Sequence, residues 1–365
     1  MRTTKSLIVG AAVTAFALAF GTTGVARADV STERPGSILI FPKVVNTTDQ
    51  DTIIQITNVN NDTRHARCFF VDGALTFDPT TGLPRPSCQE SDFSIWLTRL
   101  QPTHWQVSVG RRIDPTDNFS SAPGYPSTAG FDPGGIPPVG VGFTGALICA
   151  EVDASDKPIA GNSLTGQATV KNINTGDVSK YNGITIQGIT PMGQDLSLDN
   201  VEYNGCPASL NLTTISSGAP DPVVEALSPN TPSTVRNFIT LMPCGADLEN
   251  LVSQTVSLQV AVFNEFEQRV SLGGPSVECW ARLPLEAIGG GFNFATAGTT
   301  FTYGTITPQG ANAANGILGV ADSVATDSLG NSGSAADNLH VAGNTDTTNL
   351  PVVTGSPAVI RLSVP

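Results

Sequence analysis

The chain has 365 residues and a net charge of −13, with 13% charged and 40% hydrophobic residues. An acidic balance of this kind repels phosphate backbones and so excludes nucleic acid as a partner, because that binding rests on clustered Lys and Arg. The apolar content is too high for a disordered acidic tail and sufficient to bury a core.

The first 28 residues carry Arg2 and Lys5, an apolar run from Leu7 to Phe20, and the small-residue pattern Ala26-Arg27-Ala28. This is the layout of a secretory signal peptide, with cleavage expected before Asp29. The apolar run is shorter than the ~20 residues of a spanning helix, so no integral membrane segment is expected after cleavage. Removing Arg2, Lys5 and Arg27 takes three positive charges from the net −13 and leaves −16. The remaining chain exceeds the roughly 250–300 residues at which one core stops growing, which predicts more than one domain.

Residues 36–112 alternate with period two. Ile54, Ile56 and Asn58 share one strand face, Ala66, Cys68 and Phe70 another, and Phe93, Ile95 and Leu97 a third. Trp105, Val107 and Val109 follow a Gln101-Pro102 turn. Short strands rich in Ile, Val, Phe and Thr between Asn-Asp and Asp-Gly turns predict an antiparallel β-sandwich domain. The order of a strand, the strand "TIIQITN", a cysteine-bearing strand and a strand entering "LTRLQPTHW" resembles the immunoglobulin-like sandwich modules of bacterial exported and cell-surface proteins. The resemblance covers about a fifth of the chain and implies a fold more than an activity, since such modules serve as adhesins, spacers and enzyme appendages.

Residues 113–142 are dense in Gly and Pro and predict a linker or long loop. From Phe143 the strands "FTGALICAEVDA", "LTGQATVKNI" and "YNGITIQGI" predict a small separate β region over 143–233. Residues 234–365 are expected to form a second sandwich on the plan of the first. Setting Asn264 on Asn58 places Val260 and Val262 over Ile54 and Ile56, Cys279 over Cys68, and Pro243 over Pro42. Past Ile288 the chain is rich in Gly, Ala, Asn and Thr; outside a few strands, "TFTYGTIT", "GILGVADSV" and a closing "PAVIRLSVP", it is expected to be mobile.

All six cysteines, Cys68, Cys88, Cys149, Cys206, Cys244 and Cys279, follow the signal segment. An even count in an exported chain predicts disulfides. Six thiols allow fifteen pairings; pairing of neighbours in order, 68–88, 149–206 and 244–279, is expected because each bridge would stay inside one folding unit. A zinc site is not expected, as no Cys-x-x-Cys occurs and His65, His104 and His340 lack ligand spacing.

Candidates for chemistry are sparse. Ser332 in "GNSGS" lies in surroundings similar to those of trypsin-like nucleophiles, and His65 precedes Cys68, but the context "TRHARC" and Ser334 depart from that pattern. Acidic pairs near one turn, such as Glu265 and Glu267, provide carboxylates without a platform of aromatics, since Trp96, Trp105 and Trp280 sit at strand positions. Calcium would find oxygen donors at Glu151, Asp153 and Asp156, or at Asp327, Asn331 and Asp337, though neither set has EF-hand spacing. "GGGF" at Gly289 lacks the lysine of a phosphate loop. Aromatic girdles of an outer-membrane barrel are missing from a chain with four tyrosines.

Together these features predict an all-β protein of tandem, disulfide-stabilised, immunoglobulin-like sandwiches, exported to the periplasm or cell surface. Its expected role is non-enzymatic, as a structural or adhesion protein contacting an unknown protein or glycan. An exported hydrolase with a dispersed site, tested by Ser332→Ala, and a carbohydrate- or calcium-binding module are the alternatives.

Overall fold

Strand β1 (Ile38–Asn46) is buried at every position, whereas β2 (Gln50–Asn58), reached through a tight turn, alternates buried Ile54 and Ile56 with exposed Gln55. A strand buried on both faces needs cover on both sides, and the topology supplies it. The computed structural model describes residues 30–100, 102–112, 135–189, 196, 198, 202, 203, 206–228, 230–245 and 254–341, with Ala314, His340 and Val341 described in backbone only. The expected signal peptide, residues 113–134 of the expected linker and the closing "PAVIRLSVP" lie outside the described residues.

On one side of the first sheet, β1 pairs with β8 (Phe143–Val152), β8 with β3 (Arg64–Asp72) and β3 with β6 (Gln89–Leu97), all antiparallel. The start of β1 also pairs with β11 (Ile184–Ile186). The chain passes to the other side through the single pair Asn46 and Asp51, where β2 lies between β7 (Pro102–Gln106) and β9 (Leu164–Asn172), and β10 (Val178–Asn182) flanks β9. The two groups meet in one core. Phe41, Cys68, Phe70, Ile95 and Leu147 from the first pack with Ile54, Ile56, Trp105, Ala168 and Tyr181 from the second.

The other face of β1, β3 and β8 carries Ile38, Ile40, Phe69, Val71, Ala146 and Ile148 into a second core, shared with Met242, Trp280 and Leu318 from the C-terminal half. Among the described residues that half forms two antiparallel sheets. One has the order β17 (Ala281–Pro284), β13 (Ser233–Pro243), β19 (Ile317–Asp327), β20 (Ser332–Asn338). The other has the order β15 (Arg269–Gly273), β14 (Thr255–Asn264), β18 (Phe301–Gln309), β12 (Leu210–Ile215), β21 (His340–Val341), with β16 (Ser276–Glu278) on β14. Ile239 and Leu241 of β13 pack against Val260, Val262 and Ile306 in a third core. Among the described residues helix is confined to short turns such as α1 (Pro222–Leu227), capped by the Asp221 side chain.

Three expectations are corrected. The disulfides join Cys68 to Cys149, Cys88 to Cys279 and Cys206 to Cys244, not sequence neighbours. Cys68 and Cys149 stand directly opposite one another on β3 and β8 with Cα atoms 4.0 Å apart, so strand register selects that pair. The strands from 143 to 186 do not form a small sheet of their own; β8 lies at the centre of the first sheet and β9, β10 and β11 extend it. The Gly/Ala/Asn-rich tract is folded as far as residue 341, and some of its glycines serve close packing. A Cβ on Gly304 would overlap the Phe292 ring, and one on Gly319 would meet Leu241, Leu339 and the Thr240 carbonyl.

The two strands set over one another in sequence share local features. Asn58 and Asn264 each end a strand whose inward residues, Ile54 and Ile56 or Val260 and Val262, are fully buried. Each asparagine also accepts the amide of the residue two positions on, Asn60 or Phe266. Cys68 and Cys279 differ, the first lying mid-strand on β3 and the second just beyond β16.

The halves are joined at several points. Cys88 reaches Cys279, and Trp280 Nε1 donates to the Pro42 carbonyl at 2.7 Å. Asn338 Nδ2 of β20 donates to the Asn182 carbonyl of β10 at 2.7 Å.

Candidate functional site

Between β3 and β6 the chain leaves the first sheet and forms a separate two-stranded hairpin, β4 (Leu75–Phe77) and β5 (Pro84–Pro86). Its turn, Asp78-Pro79-Thr80-Thr81-Gly82, is built by the Asp78 carboxylate, which accepts the amides of Thr80 and Thr81, and by Gly82 at φ +67°. Those amides hold the Asp78 carboxyl below its usual range. Leu75 pairs with Pro86 and Phe77 with Pro84, so one hairpin face is wholly apolar. Leu75 is 76% and Phe77 74% exposed. The hairpin is held at its base, where Ser87 donates to the Ala74 carbonyl and Cys88 is bonded to Cys279. Pro84 and Pro86 leave β5 without amide donors at those positions, whereas the outer edge of β4 keeps its backbone groups and pairs with no strand among the described residues.

A second, polar site lies at the end of β3 and β8. Register sets His65 between Val152 of β8 and Trp96 of β6. The His65 and Trp96 rings stack with centroids 4.0 Å apart and planes within 4°. Beyond Val152 the chain turns through 153–157, closed by Asp153 donating its amide to the Lys157 carbonyl. The Asp153 side chain accepts the Ser155 and Lys157 amides, Lys157 first in holding its carboxyl below the usual range. His65 Nδ1 lies 3.0 Å from the Asp153 carbonyl, and Nε2 lies 3.7 Å from Asp156 Oδ1. Burial lowers the His65 pKa from its ordinary value, against the opposing pull of the Asp153 carbonyl and of Asp156.

Of the three acids grouped by sequence, Asp153 and Asp156 stand at this site, while Glu151 points inward. Glu151 is fully buried; it accepts the Ser163 hydroxyl at 2.9 Å and lies 3.2 Å from Arg64 Nε. Burial raises its pKa, with Ser163 and Arg64 opposing. Gly161 makes room for it, since a Cβ there would overlap the carboxylate.

The remaining candidates are dispersed. Ser332 lies on β20 opposite Thr326, and His65 lies on β3; no hydrogen bond joins them among the described residues. Asp327 caps its own turn, accepting the amides of Leu329 and Asn331. Asp337 lies on β20 opposite Ala321 of β19. Glu265 and Glu267 are exposed in the turn after β14. Trp105 is core and Trp280 joins the two halves; Trp96 has one ring face covered by His65. His104 pairs with Gln55, and His340 stands on β21. No group of three or more His, Cys, Asp or Glu side chains converges on a metal position among the described residues.

Sequence reasoning missed a buried ion network. Lys43 of β1, 2% exposed, lies 3.1 Å from Asp322 of β19, 3% exposed, whose same oxygen accepts from Arg282 at 2.6 Å. Tyr181 donates its hydroxyl to the Lys43 carbonyl and accepts the Lys43 amide; burial pushes the phenol pKa far above its ordinary value. "IFPKVVN" carries a single charge in an apolar strand, and that lone lysine was the available signal.

No protein-family model and no curated protein matches the chain. Among solved structures it is similar to Thermotoga maritima 1070 at 7% identity and a TM-score of 0.24, covering 41% of this chain and 92% of the other. A glycosyl hydrolase family 2 member from Bacteroides cellulosilyticus DSM 14838 has 6% identity and a TM-score of 0.16, covering 83% of this chain and 28% of that enzyme. Red sea bream transglutaminase has 10% identity and a TM-score of 0.14, covering 87% and 32%.

Proposed function

We propose that the protein is an exported, non-enzymatic contact protein of the cell surface or matrix, built as tandem immunoglobulin-like sandwiches, and that the β4–β5 hairpin meets its partner. The observation that carries this reading is the apolar hairpin face, with Leu75 and Phe77 about three-quarters exposed on an element tied down by Cys88. Large exposed apolar side chains grouped on one element mark interaction sites. Three disulfides accord with an oxidising compartment outside the cytoplasm. No helix among the described residues is long and apolar enough to cross a membrane.

The chemistry of the hairpin favours a protein partner over a glycan. Its face presents Leu, Phe and Pro with no tryptophan platform, and the open edge of β4 accepts an added strand. The test is retention of the exported protein on the envelope of the producing cells, measured by fractionation and crosslinking for wild type and Leu75→Ser/Phe77→Ser. Loss of retention with an unchanged circular-dichroism spectrum is expected. Full retention of the double variant would overturn the assignment to the hairpin.

A further inference from the structure

The arrangement around His65 points to a ligand, on grounds independent of the contact reading. A backbone carbonyl only accepts, so the 3.0 Å contact from His65 Nδ1 to the Asp153 carbonyl places the ring proton on Nδ1. In the neutral ring Nε2 then carries a lone pair. That atom is buried, has no hydrogen-bond partner, belongs to a side chain only 7% exposed, and faces Asp156 Oδ1 at 3.7 Å. Two electron-rich atoms are thus held towards one another with no donor between them.

We propose that His65 Nε2 and Asp156 Oδ1 together bind a borderline divalent cation of the zinc class, with solvent filling its remaining positions. Zinc bonds to imidazole nitrogen and carboxylate oxygen are each about 2.0–2.2 Å, so one ion spans a 3.7 Å gap at an open angle. Donation of the other ring N–H to a backbone carbonyl is the usual second-shell partner of a metal-bound histidine. Stacking on Trp96 fixes the ring plane before any ion arrives. Asp156 is 48% exposed, which leaves the carboxylate open to solvent and to ion entry.

Two neighbouring arginines are engaged elsewhere. Arg67 is engaged by Asp92 at 2.8 Å and Arg64 by Glu151, so neither cation occupies the gap. Calcium suits the site less well, because it seeks six to eight oxygen ligands and one donor here is nitrogen. Glu151, the third acid of the sequence cluster, is committed to Ser163 and Arg64.

The experiment titrates ZnCl2, and separately CaCl2, into the full mature chain at pH 7.5 by calorimetry, for wild type, His65→Gln and Asp156→Asn. Saturable uptake of one Zn2+ per chain is expected, abolished in His65→Gln, at least tenfold weaker in Asp156→Asn, and not matched by calcium. In parallel, the imidazole 15N shifts of wild type are followed, where only Nε2 of His65 should move on zinc addition, a readout that needs no variant. Absence of saturable uptake, or uptake that survives His65→Gln, would overturn the proposal. A His65 resonance that reports protonation on both nitrogens at pH 7.5 would do so too, since a proton would then fill the gap.

Discussion

The Lys43 ammonium and the Asp322 carboxylate meet 3.1 Å apart across the boundary between the N-terminal and C-terminal halves, both almost wholly sealed from solvent. An ion pair in such a place is poor evidence for net stability, because desolvation offsets much of the attraction, yet breaking it strands a buried charge. Asp322→Asn is therefore expected to destabilise by about 3–5 kcal/mol in denaturant unfolding. Lys43→Met combined with Asp322→Leu should recover most of that loss, because Arg282 is part-exposed and can turn to water. A double variant no more stable than Asp322→Asn would contradict this account.

The same pair sets an acid limit. Burial alone would raise the Asp322 pKa, but attraction to Lys43 and Arg282 outweighs it and holds the carboxyl below its ordinary 3.8. The unfolded chain then binds the proton first as pH falls. The contribution is present in full above about pH 4 and is lost as pH drops through the folded value. Chemical denaturation measured from pH 6 to pH 2 should show this loss in wild type and a shallower slope in Lys43→Met/Asp322→Leu. Parallel slopes would remove Asp322 as a source of acid sensitivity.

Gly73 lies against the Trp280 indole, where an added Cβ would overlap the ring. That ring is held by its hydrogen bond to Pro42 and by the adjoining Cys279 bridge, so it has little freedom to yield. Gly73→Ala is expected to cost about 1–3 kcal/mol, as overpacking of a filled core does. A thermal midpoint equal to wild type would show that the indole moves freely.

Leu75 and Phe77, by contrast, should be silent in stability. Both are exposed, and polar replacement away from packed features changes stability by about 0.5 kcal/mol or less. Equal unfolding midpoints for Leu75→Ser/Phe77→Ser and wild type are predicted; a loss above about 2 kcal/mol would mean the hairpin face is packed in solution.

Strand faces were legible in the sequence because period two is a local property. Ile54 and Ile56, Cys68 and Phe70, and Ile95 and Leu97 all point inward as their spacing required. Val109, grouped by the same spacing with Trp105 and Val107, is instead 66% exposed, since β7 ends before it. Pairing between distant strands was not legible. Nothing local shows that β8 inserts between β1 and β3, and that insertion decides the Cys68 to Cys149 bond and carries Asp153 to His65 across 88 residues. His65, Trp96 and the acidic turn are each visible in the sequence by themselves, but only register makes them one site. The β4–β5 hairpin is hidden for the opposite reason: three-residue strands are too short to show a period, though Asp78-Pro79 and Gly82 mark its turn.

The Cys88–Cys279 bridge bolts the two halves of an oxidised chain together, and disulfide mapping tests that most directly. Protein taken from its native compartment, alkylated and digested without reductant, should yield the Cys88 peptide joined to the Cys279 peptide, with Cys68 on Cys149 and Cys206 on Cys244. Alkylated free cysteines, or Cys88 recovered on Cys68, would contradict it.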